Sequence, residues 1–282
     1  MAAIDGAPIA VPPDPVAQAN ALAVTFKNLS PVERLKRLRH VLAGPIVFTH
    51  GFGAEGQLLI HWICEHGLDI NVVTLDTGRL FPETYALWAE TERRYGLRIR
   101  AFYPDQAALE HMVARQGIDG FHLSRRARQA CCDVRKTKPI ERALAGASGW
   151  ITGLRADQSA ARKRAALVAF DAARAVIKIN PLFDWTRDEV MAAIYARDIP
   201  VNALHAKGFA SIGCAPCTRA IAPGEPERNG RWWWEKDGNR ECGLHFPRRR
   251  ADHVARHNSS PEPGRAAESV AEEPCSDSVR SQ

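Results

Sequence analysis

Apolar residues recur along this chain with two different periods, and the alternation of these periods predicts strands and helices in turn. Short apolar runs rich in β-forming residues occur at 45–49, 70–75, 98–102, 150–154 and 176–179. Apolar residues at helical spacing follow the first three runs, at about 58–63, 82–95 and 107–115. Strands that alternate with helices of this length predict an α/β fold, with a mostly parallel sheet and helices on both faces.

Local capping signals mark the start of two further helices. Ser30-Pro31-Val32-Glu33 combines a capping serine, a proline in the first turn and a glutamate three residues after the cap. Thr186 and Glu189 repeat this capping box. A basic helical segment is also predicted from Leu123 to about Leu144.

Composition along the chain suggests four regions. Residues 1–24 begin with an Ala/Pro-rich stretch and are expected to form a flexible tail, whereas 25–222 carry the α/β pattern. The Pro/Gly-rich start of 223–250 predicts a mobile segment, which the tryptophans at 232–234 would anchor on the core. Residues 251–282 contain no Ile, Leu, Phe, Trp, Tyr or Met and are expected to be disordered.

The 282 residues carry a net charge of +6, which favours an anionic partner. No nucleic-acid-binding signature accompanies this charge, and the basic residues lie beside cysteines and glycines, so a small phosphorylated substrate is favoured over nucleic acid. The chain shows neither the pattern of a signal peptide nor an apolar run long enough to cross a membrane. A cytoplasmic location without membrane attachment is therefore expected.

Two turns are predicted to lie beyond the carboxyl ends of strands. One is the glycine-rich stretch 51–56, and the other is Asp76-Thr77-Gly78-Arg79. Ligands of parallel α/β sheets bind at this edge, where backbone N–H groups at a helix N-terminus attract anions. The signal is weak alone because glycines also form turns that hold no ligand.

Four of the seven cysteines form two close pairs, Cys131-Cys132 and Cys214-x-x-Cys217. Adjacent cysteines rarely bond to each other, but both can face one multinuclear centre. The candidates are a Cys₄ zinc ion and a [4Fe–4S] cluster, and the adjacent pair favours the cluster. The alternative, a Cys₄ zinc protein that binds RNA or a partner through its basic face, stays open.

Cys242 is the candidate nucleophile among the remaining cysteines. It lies between Arg240 and His245, and neighbouring positive charge favours the reactive thiolate. Cys64 falls on the apolar stripe of its helix and is expected in the core, and Cys275 belongs to the C-terminal tail.

Together, the two cysteine pairs, Leu75-Asp76-Thr77-Gly78-Arg79 and Glu241-Cys242-Gly243-Leu244-His245 resemble the bacterial and plant-type assimilatory adenylyl-sulfate (APS) reductases. The resemblance covers about residues 25–247, with four motifs in the same order. It implies a fold of the adenine-nucleotide α-hydrolase type with a modified pyrophosphate loop at 51–56. It also implies a [4Fe–4S] cluster on Cys131, Cys132, Cys214 and Cys217.

The resemblance also assigns substrate contacts. It places Lys136, Arg228, Arg231 and His245 around the phosphosulfate, where they are expected to supply positive charge. The nucleotide would be held by Gly51, Phe52, Gly53, Leu75, Asp76, Thr77, Gly78, Arg79 and Arg155. The sequence departs from the family at two positions, since Gly51 and Gly56 stand where relatives usually carry serine and aspartate.

The implied activity is reduction of APS to sulfite and AMP in sulfate assimilation. Cys242 would attack the sulfate sulfur and form S-sulfocysteine, and thioredoxin or a glutaredoxin-like protein would then release sulfite. 3′-phospho-APS (PAPS) remains an alternative substrate, and a homo-oligomeric state is left open. The cluster is expected to act through structure and charge, not by passing electrons.

Overall fold

The structure, a computed structural model, describes residues 14–235 and 241–245. Its helices are α1 (Pro15–Phe26), α2 (Pro31–Val41), α3 (Ala54–Glu65), α4 (Pro82–Tyr95), α5 (Gln106–Gln116), α6 (Arg125–Cys132), α7 (Lys138–Ala143) and α8 (Arg187–Tyr195). Its strands are β1 (Ile46–Thr49), β2 (Asn71–Leu75), β3 (Arg100–Phe102), β4 (Gly149–Ile151), β5 (Val168–Asp171) and β6 (Val176–Ile179). None of the helices in these ranges is long and apolar enough to cross a membrane.

The described strands form one six-stranded sheet in the order β3-β2-β1-β4-β6-β5. Neighbours are parallel except for β5 and β6, which pair antiparallel. Phe48 at the centre of the sheet pairs with Val72 on one side and Ile151 on the other. The sheet confirms the mostly parallel architecture predicted from the sequence. It adds β5, a four-residue edge strand that the apolar pattern did not indicate.

Helices pack on both faces of the sheet because side chains alternate along each strand. In β1, Ile46 and Phe48 face a large apolar core formed with α1, α2, α3 and α8. Val47 points to the opposite face and packs with Trp150 and with Ile140 of α7. This two-layer cover buries the central strands β1, β4 and β6 on both sides, as expected for a parallel sheet.

The helix α1 corrects the expected flexible tail over residues 1–24. The Asp14 side chain accepts hydrogen bonds from the backbone N–H groups of Val16 and Ala17, both at 3.1 Å, and so caps the helix. Ala19, Leu22 and Phe26 recur at helical spacing and are buried in the core. The prediction was wrong from residue 14 onwards because this apolar stripe is short and lies next to the Pro-rich stretch. Residues 1–13 lie outside the described residues.

The basic segment predicted as one helix from Leu123 to Leu144 is interrupted. A π-turn, Asp133–Thr137, separates α6 from α7 directly after the two adjacent cysteines. Such a turn widens the helix by one residue and is frequent at functional sites. The side chains after Cys132 therefore point in directions different from those that a regular α-helix would give them.

The C-terminal part of the chain is described at 223–235 and 241–245. Trp232, Arg228 and Glu241 are buried there. The mobility expected for 223–250 stays a prediction. Residues 236–240, 246–250 and the tail 251–282 with Cys275 lie outside the described residues.

Candidate active site

A cavity of about 230 Å³ opens beyond the carboxyl ends of β1, β2 and β4. Strand order reverses between β1 and β4, which is where ligands of open parallel sheets bind. Thr49 at the end of β1 and residues 152–154 after β4 both line it. The topology therefore places the cavity at the edge where the sequence predicts its two ligand-binding turns.

The loop after β1 carries Gly51, Phe52 and Gly53 into the cavity wall and leads into α3. Phe52 adopts a left-handed backbone with φ 56°, and its buried ring stacks on Trp88 with centroids 5.6 Å apart. His50 is buried behind the loop, and burial lowers the pKa of its imidazole to about 3. The imidazole is therefore neutral at neutral pH.

In the described part of the chain, four cationic side chains line this cavity: Lys136, Arg162, Arg228 and Arg231. Arg228 donates to Ser211 Oγ at 3.3 Å, and Arg231 donates to the Ile212 carbonyl at 3.2 Å. Burial, together with the like charge of Arg162, lowers the pKa of Arg228 to about 9. Arg228 therefore remains charged at neutral pH, and the cavity suits an anion.

The four paired cysteines lie together in a second, smaller cavity. Cys131 and Cys132 come from the end of α6, whereas Cys214 precedes the 3₁₀ turn Ala215–Cys217 and Cys217 ends it. Lys136, which projects from the π-turn, lines both this cavity and the larger one. One ammonium group thus lies between the thiols and the anion site.

The surroundings of the thiols differ. Burial raises the pKa of Cys132 to about 12 and that of Cys217 to about 11. Burial also opposes ionisation of Cys214, but Lys136 and the hydroxyl of Thr77, 3.4 Å from the sulfur, outweigh it and lower this pKa. In the described ranges, no three His, Cys, Asp or Glu side chains converge closely enough to hold a metal ion.

Cys242 lines the larger cavity and packs beside the paired cysteines. The His245 ring stacks on Trp150 with centroids 6.0 Å apart and planes at 12°. Burial, reinforced by the charges of Lys178 and Arg162, holds the pKa of His245 well below its usual range. His245 is therefore neutral at neutral pH in this structure, and its expected contact with the substrate stays a prediction.

The tryptophan run anchors this region, as expected. The buried Trp232 ring lies between two guanidinium groups, 4.4 Å from that of Arg128 and 4.7 Å from that of Arg231. Trp234 packs near Phe121, with ring centroids 6.2 Å apart. Arg128 also pairs with Glu235, so this stretch is fixed to α6 next to Cys132.

Most of the residues selected from the sequence meet in the two cavities. The larger cavity brings together Gly51, Phe52, Gly53, Leu75, Thr77, Lys136, Arg228, Arg231, Cys242 and His245. Cys64 lies apart from both and packs half-buried against the core, where burial raises its pKa to about 11. Its predicted core position is confirmed.

Four predicted nucleotide contacts lie outside the larger cavity: Asp76, Gly78, Arg79 and Arg155. The Asp76 carboxylate instead accepts hydrogen bonds from the Gly78 backbone at 2.8 Å and the Tyr85 hydroxyl at 2.9 Å. Arg79 lines the thiol cavity and pairs with Asp119. These residues shape the turn that presents Leu75 and Thr77.

Arg155 is engaged with carboxylates, and its expected contact with the nucleotide stays a prediction. Its side chain is completely buried and donates to Glu55 at 2.7 Å, to Glu227 at 2.6 Å and to Asp157. Each guanidinium nitrogen thus has a carboxylate partner. Arg155 positions the walls of the cavity and does not face into it.

Sequence reasoning did not assign Arg162, Glu241, Gln158 and His50, all of which line the cavity. Arg162 begins the basic run Arg162-Lys163-Arg164, which follows the end of a strand and could have signalled an anion site. The burial of His50 and the partner of Glu241 depend on distant residues and leave no local pattern.

Comparison with known proteins identifies the family to which the chain belongs. Residues 45–220 match the phosphoadenosine phosphosulfate reductase domain. The chain belongs to this reductase family. It is 52% identical over 229 residues to an adenosine 5′-phosphosulfate reductase of Sinorhizobium fredii (strain USDA 257), covering 81% of this chain and 91% of the relative. A relative of the same name from Allochromatium vinosum is 50% identical over 214 residues, covering 74% and 84%.

A solved structure of a family member has the same fold. The phosphoadenylyl-sulfate (PAPS) reductase from Candida auris, in a phosphate complex, superposes with a TM-score of 0.62 at 24% identity. The match covers 76% of this chain and all of that chain. The α/β fold expected from the resemblance is confirmed.

Proposed function

We propose that this protein reduces adenosine 5′-phosphosulfate (APS) to sulfite and AMP, with Cys242 as the nucleophile. The observation that carries the proposal is the position of Cys242 in the wall of a cavity lined by Lys136, Arg162, Arg228 and Arg231. The names of the relatives support APS as the substrate. The reaction would belong to sulfate assimilation and cysteine biosynthesis.

The cavity suits the two halves of APS. The glycine-rich loop, Leu75 and Thr77 lie at the sheet edge and would hold the nucleoside. The cations would surround the phosphosulfate, because a thiolate approaching an anionic sulfate is otherwise repelled. His245, neutral in this site, would contribute a hydrogen bond to the sulfate and not a charge.

The sulfur transfer proceeds in two displacements. The Cys242 thiolate attacks the sulfate sulfur, an S–S bond forms, and the S–O bond to AMP breaks with AMP as the leaving group. A thiolate of reduced thioredoxin, or of a glutaredoxin-like donor, then attacks the Cys242 sulfur and displaces sulfite. The second thiol of the donor resolves the mixed disulfide. The donor is thereby oxidised to a disulfide, and Cys242 returns to the thiolate.

The four paired cysteines line one small cavity from two distant parts of the chain, although no three of them converge closely enough to hold a single metal ion. This set suits a [4Fe–4S] cluster, in which each cysteine binds a different iron and the thiols need not converge on one point. When bound, the cluster would supply a negatively charged centre next to Lys136. Arg128, buried beside Cys132, and Arg135 of the π-turn would offset that charge. Since Cys242 is separate from these ligands, the cluster's role in this proposal is structural and electrostatic.

The cluster is tested by the colour and metal content of the purified protein. We expect absorption at about 400 nm and about four irons per chain. A colourless protein with one zinc per chain would contradict the assignment and favour the alternative, a zinc protein that binds RNA or a partner. A cluster spectrum that changes to the reduced form during turnover would contradict the non-redox role.

The nucleophile is tested by Cys242→Ser. We expect this variant to bind AMP normally and to lose sulfite release by about a thousandfold or more, because the hydroxyl is a far weaker nucleophile. Cys64→Ser is the matched control, since Cys64 lies in the core away from the cavity. Mass spectrometry of the wild type mixed with APS, without reductant, should show a sulfonate on the Cys242 peptide. Substantial turnover by Cys242→Ser would refute the role.

PAPS is the second candidate substrate, because the matching family is described by this compound. Relative kcat/KM on the two nucleotides decides between them. Turnover on APS at least about tenfold more efficient than on PAPS supports the proposal.

A further inference from the structure

Glu241, the residue before the proposed nucleophile, lies between two arginines of the cavity wall. Its Oε1 is 2.9 Å from Arg162 Nε and 3.2 Å from Arg228 Nε, and its Oε2 is 3.3 Å from an Arg162 terminal nitrogen. The exposed fractions of Glu241, Arg162 and Arg228 are 9%, 8% and 7%. The carboxylate is thus shared by two guanidinium groups and largely shielded from water.

The charges make this arrangement more than a packing contact. Burial opposes ionisation of Glu241, but Arg228 and Arg162 outweigh it and hold the pKa of the carboxyl below its usual range. Arg162 and Arg228 also repel each other. The carboxylate therefore separates two buried like charges, and its removal would leave both uncompensated.

The other contacts around Cys242 involve backbone groups or packing. The Glu241 carbonyl accepts a hydrogen bond from Arg128 at 3.3 Å, and the His245 carbonyl accepts one from Lys178 at 3.2 Å. Leu244 packs on the face of the sheet that holds Trp150. Glu241 differs because its side chain joins residues 241–245, the nucleophile segment, directly to cations of the substrate cavity.

We propose that Glu241 is a positioning residue for Cys242, acting through Arg162 and Arg228 to hold the thiol against the cavity. The inference rests on the proposed sulfur transfer for its kinetic consequence, although the docking itself does not. Arg162 thereby acquires a role in the site, as the cation that fixes the nucleophile segment.

The test is Glu241→Gln, which keeps the shape of the side chain and removes its charge. We expect the single-turnover rate of Cys242 sulfonation by APS to fall about tenfold or more, while AMP affinity stays within about twofold. Alkylation of Cys242 by iodoacetamide, followed by mass spectrometry of its peptide, should become several times faster. A general loss of structure would instead weaken AMP binding as well.

Glu225→Gln is the matched control. Glu225 belongs to the same stretch of chain but pairs with Arg219 at 3.2 Å, away from the cavity lining. We expect this variant to match the wild type in sulfonation and alkylation. Glu241→Asp, which keeps the charge on a shorter side chain, should recover part of the sulfonation rate.

Arg162→Gln and the double variant Arg162→Gln/Glu241→Gln test the partner. If Glu241 acts through Arg162, the second change should slow sulfonation by less than about twofold beyond the slower single variant. Fully additive losses, or an unchanged alkylation rate in Glu241→Gln, would overturn the inference. Failure of the proposed function has another signature: the wild type would form no Cys242 adduct with APS, while the alkylation difference would persist.

Discussion

Two glycines of the loop at 51–56 occupy different surroundings, although the resemblance implies larger residues, a serine and an aspartate, at both positions. A Cβ atom built at Gly51 meets no atom within 4 Å. A Cβ atom at Gly56 would lie 2.5 Å from Nδ1 of His50, a ring that is only 1% exposed. The space that a larger side chain at position 56 would need is therefore occupied by the imidazole.

We predict that Gly51→Ser leaves stability unchanged within about 0.5 kcal/mol, whereas Gly56→Asp lowers the free energy of unfolding by about 1–3 kcal/mol. Urea unfolding of both variants measures the difference. Replacing the imidazole as well, in His50→Ser/Gly56→Asp, should restore much of the loss. Equal stability of the two single variants would contradict the crowding at Gly56.

At the residue scale, the sequence predicted which residues carry reactive or metal-binding groups better than it predicted which residues contact one another. Cysteine spacing identified the thiols that share a cavity, since spacing is a local property. The ion pairs of Arg155 were not predicted, because its partner Glu55 is 100 positions away in the sequence. Long-range ion pairs leave no periodic signal, so neither Arg155 nor Arg162 could be placed correctly without the fold.

At the scale of elements, two helix starts were predicted from their capping boxes. Ser30 and Glu33 form the expected capping box, and so do Thr186 and Glu189. The π-turn was not predictable, because it depends on how α6 and α7 pack around the thiol cavity. Helix α1 was missed because its stabilisation comes from tertiary burial and not from helix-forming signals alone.

We predict that Phe26→Ala lowers the free energy of unfolding by about 3–5 kcal/mol, since it leaves a cavity where α1 meets the core. Phe26 is fully buried, whereas Val24 on the same helix is 76% exposed. Val24→Ala is therefore the control and should change stability by less than about 0.5 kcal/mol. Urea denaturation compares them. Equal stabilities of the two variants would mean that α1 does not pack against the core in solution.

At the scale of the whole molecule, Arg155 joins three parts of the site. Its carboxylate partners are Glu55 at the start of α3, Asp157 beyond β4 and Glu227 next to Arg228. Burial, with repulsion from Glu55, raises the pKa of Glu227, and Arg155 opposes this rise. The guanidinium thus keeps together carboxylates that would otherwise repel one another.

We predict that Arg155→Gln destabilises the protein by about 3–5 kcal/mol at neutral pH. Without Arg155, burial would raise the pKa values of Glu55 and Glu227 above their unfolded values, so stability should recover as pH falls through those folded-state values. Denaturation at about pH 7 and about pH 5 measures this, with the wild type as reference. A variant of normal stability and selectively weaker AMP affinity would instead support direct substrate binding by Arg155.

The fold class itself followed from the alternation of strands and helices, because burial on both faces imposes that pattern. Strand order did not follow, since β1 lies between β2 and β4 through pairings that no local pattern encodes. The edge that holds the cavity was therefore predictable, and the pair of strands that flank it was not.

The backbone conformation and the side-chain contacts of Trp232 favour different residue types. Its backbone φ of 45° is one that glycine adopts freely and other residues adopt at a cost of about 1–3 kcal/mol. Its ring is also the surface on which Arg128 and Arg231 rest. Glycine would relieve the torsion but remove the aromatic face, and an aliphatic residue would keep the torsion without offering that face. The protein tolerates an unfavourable torsion here because only the indole aligns two guanidinium groups beside the paired cysteines and Cys242.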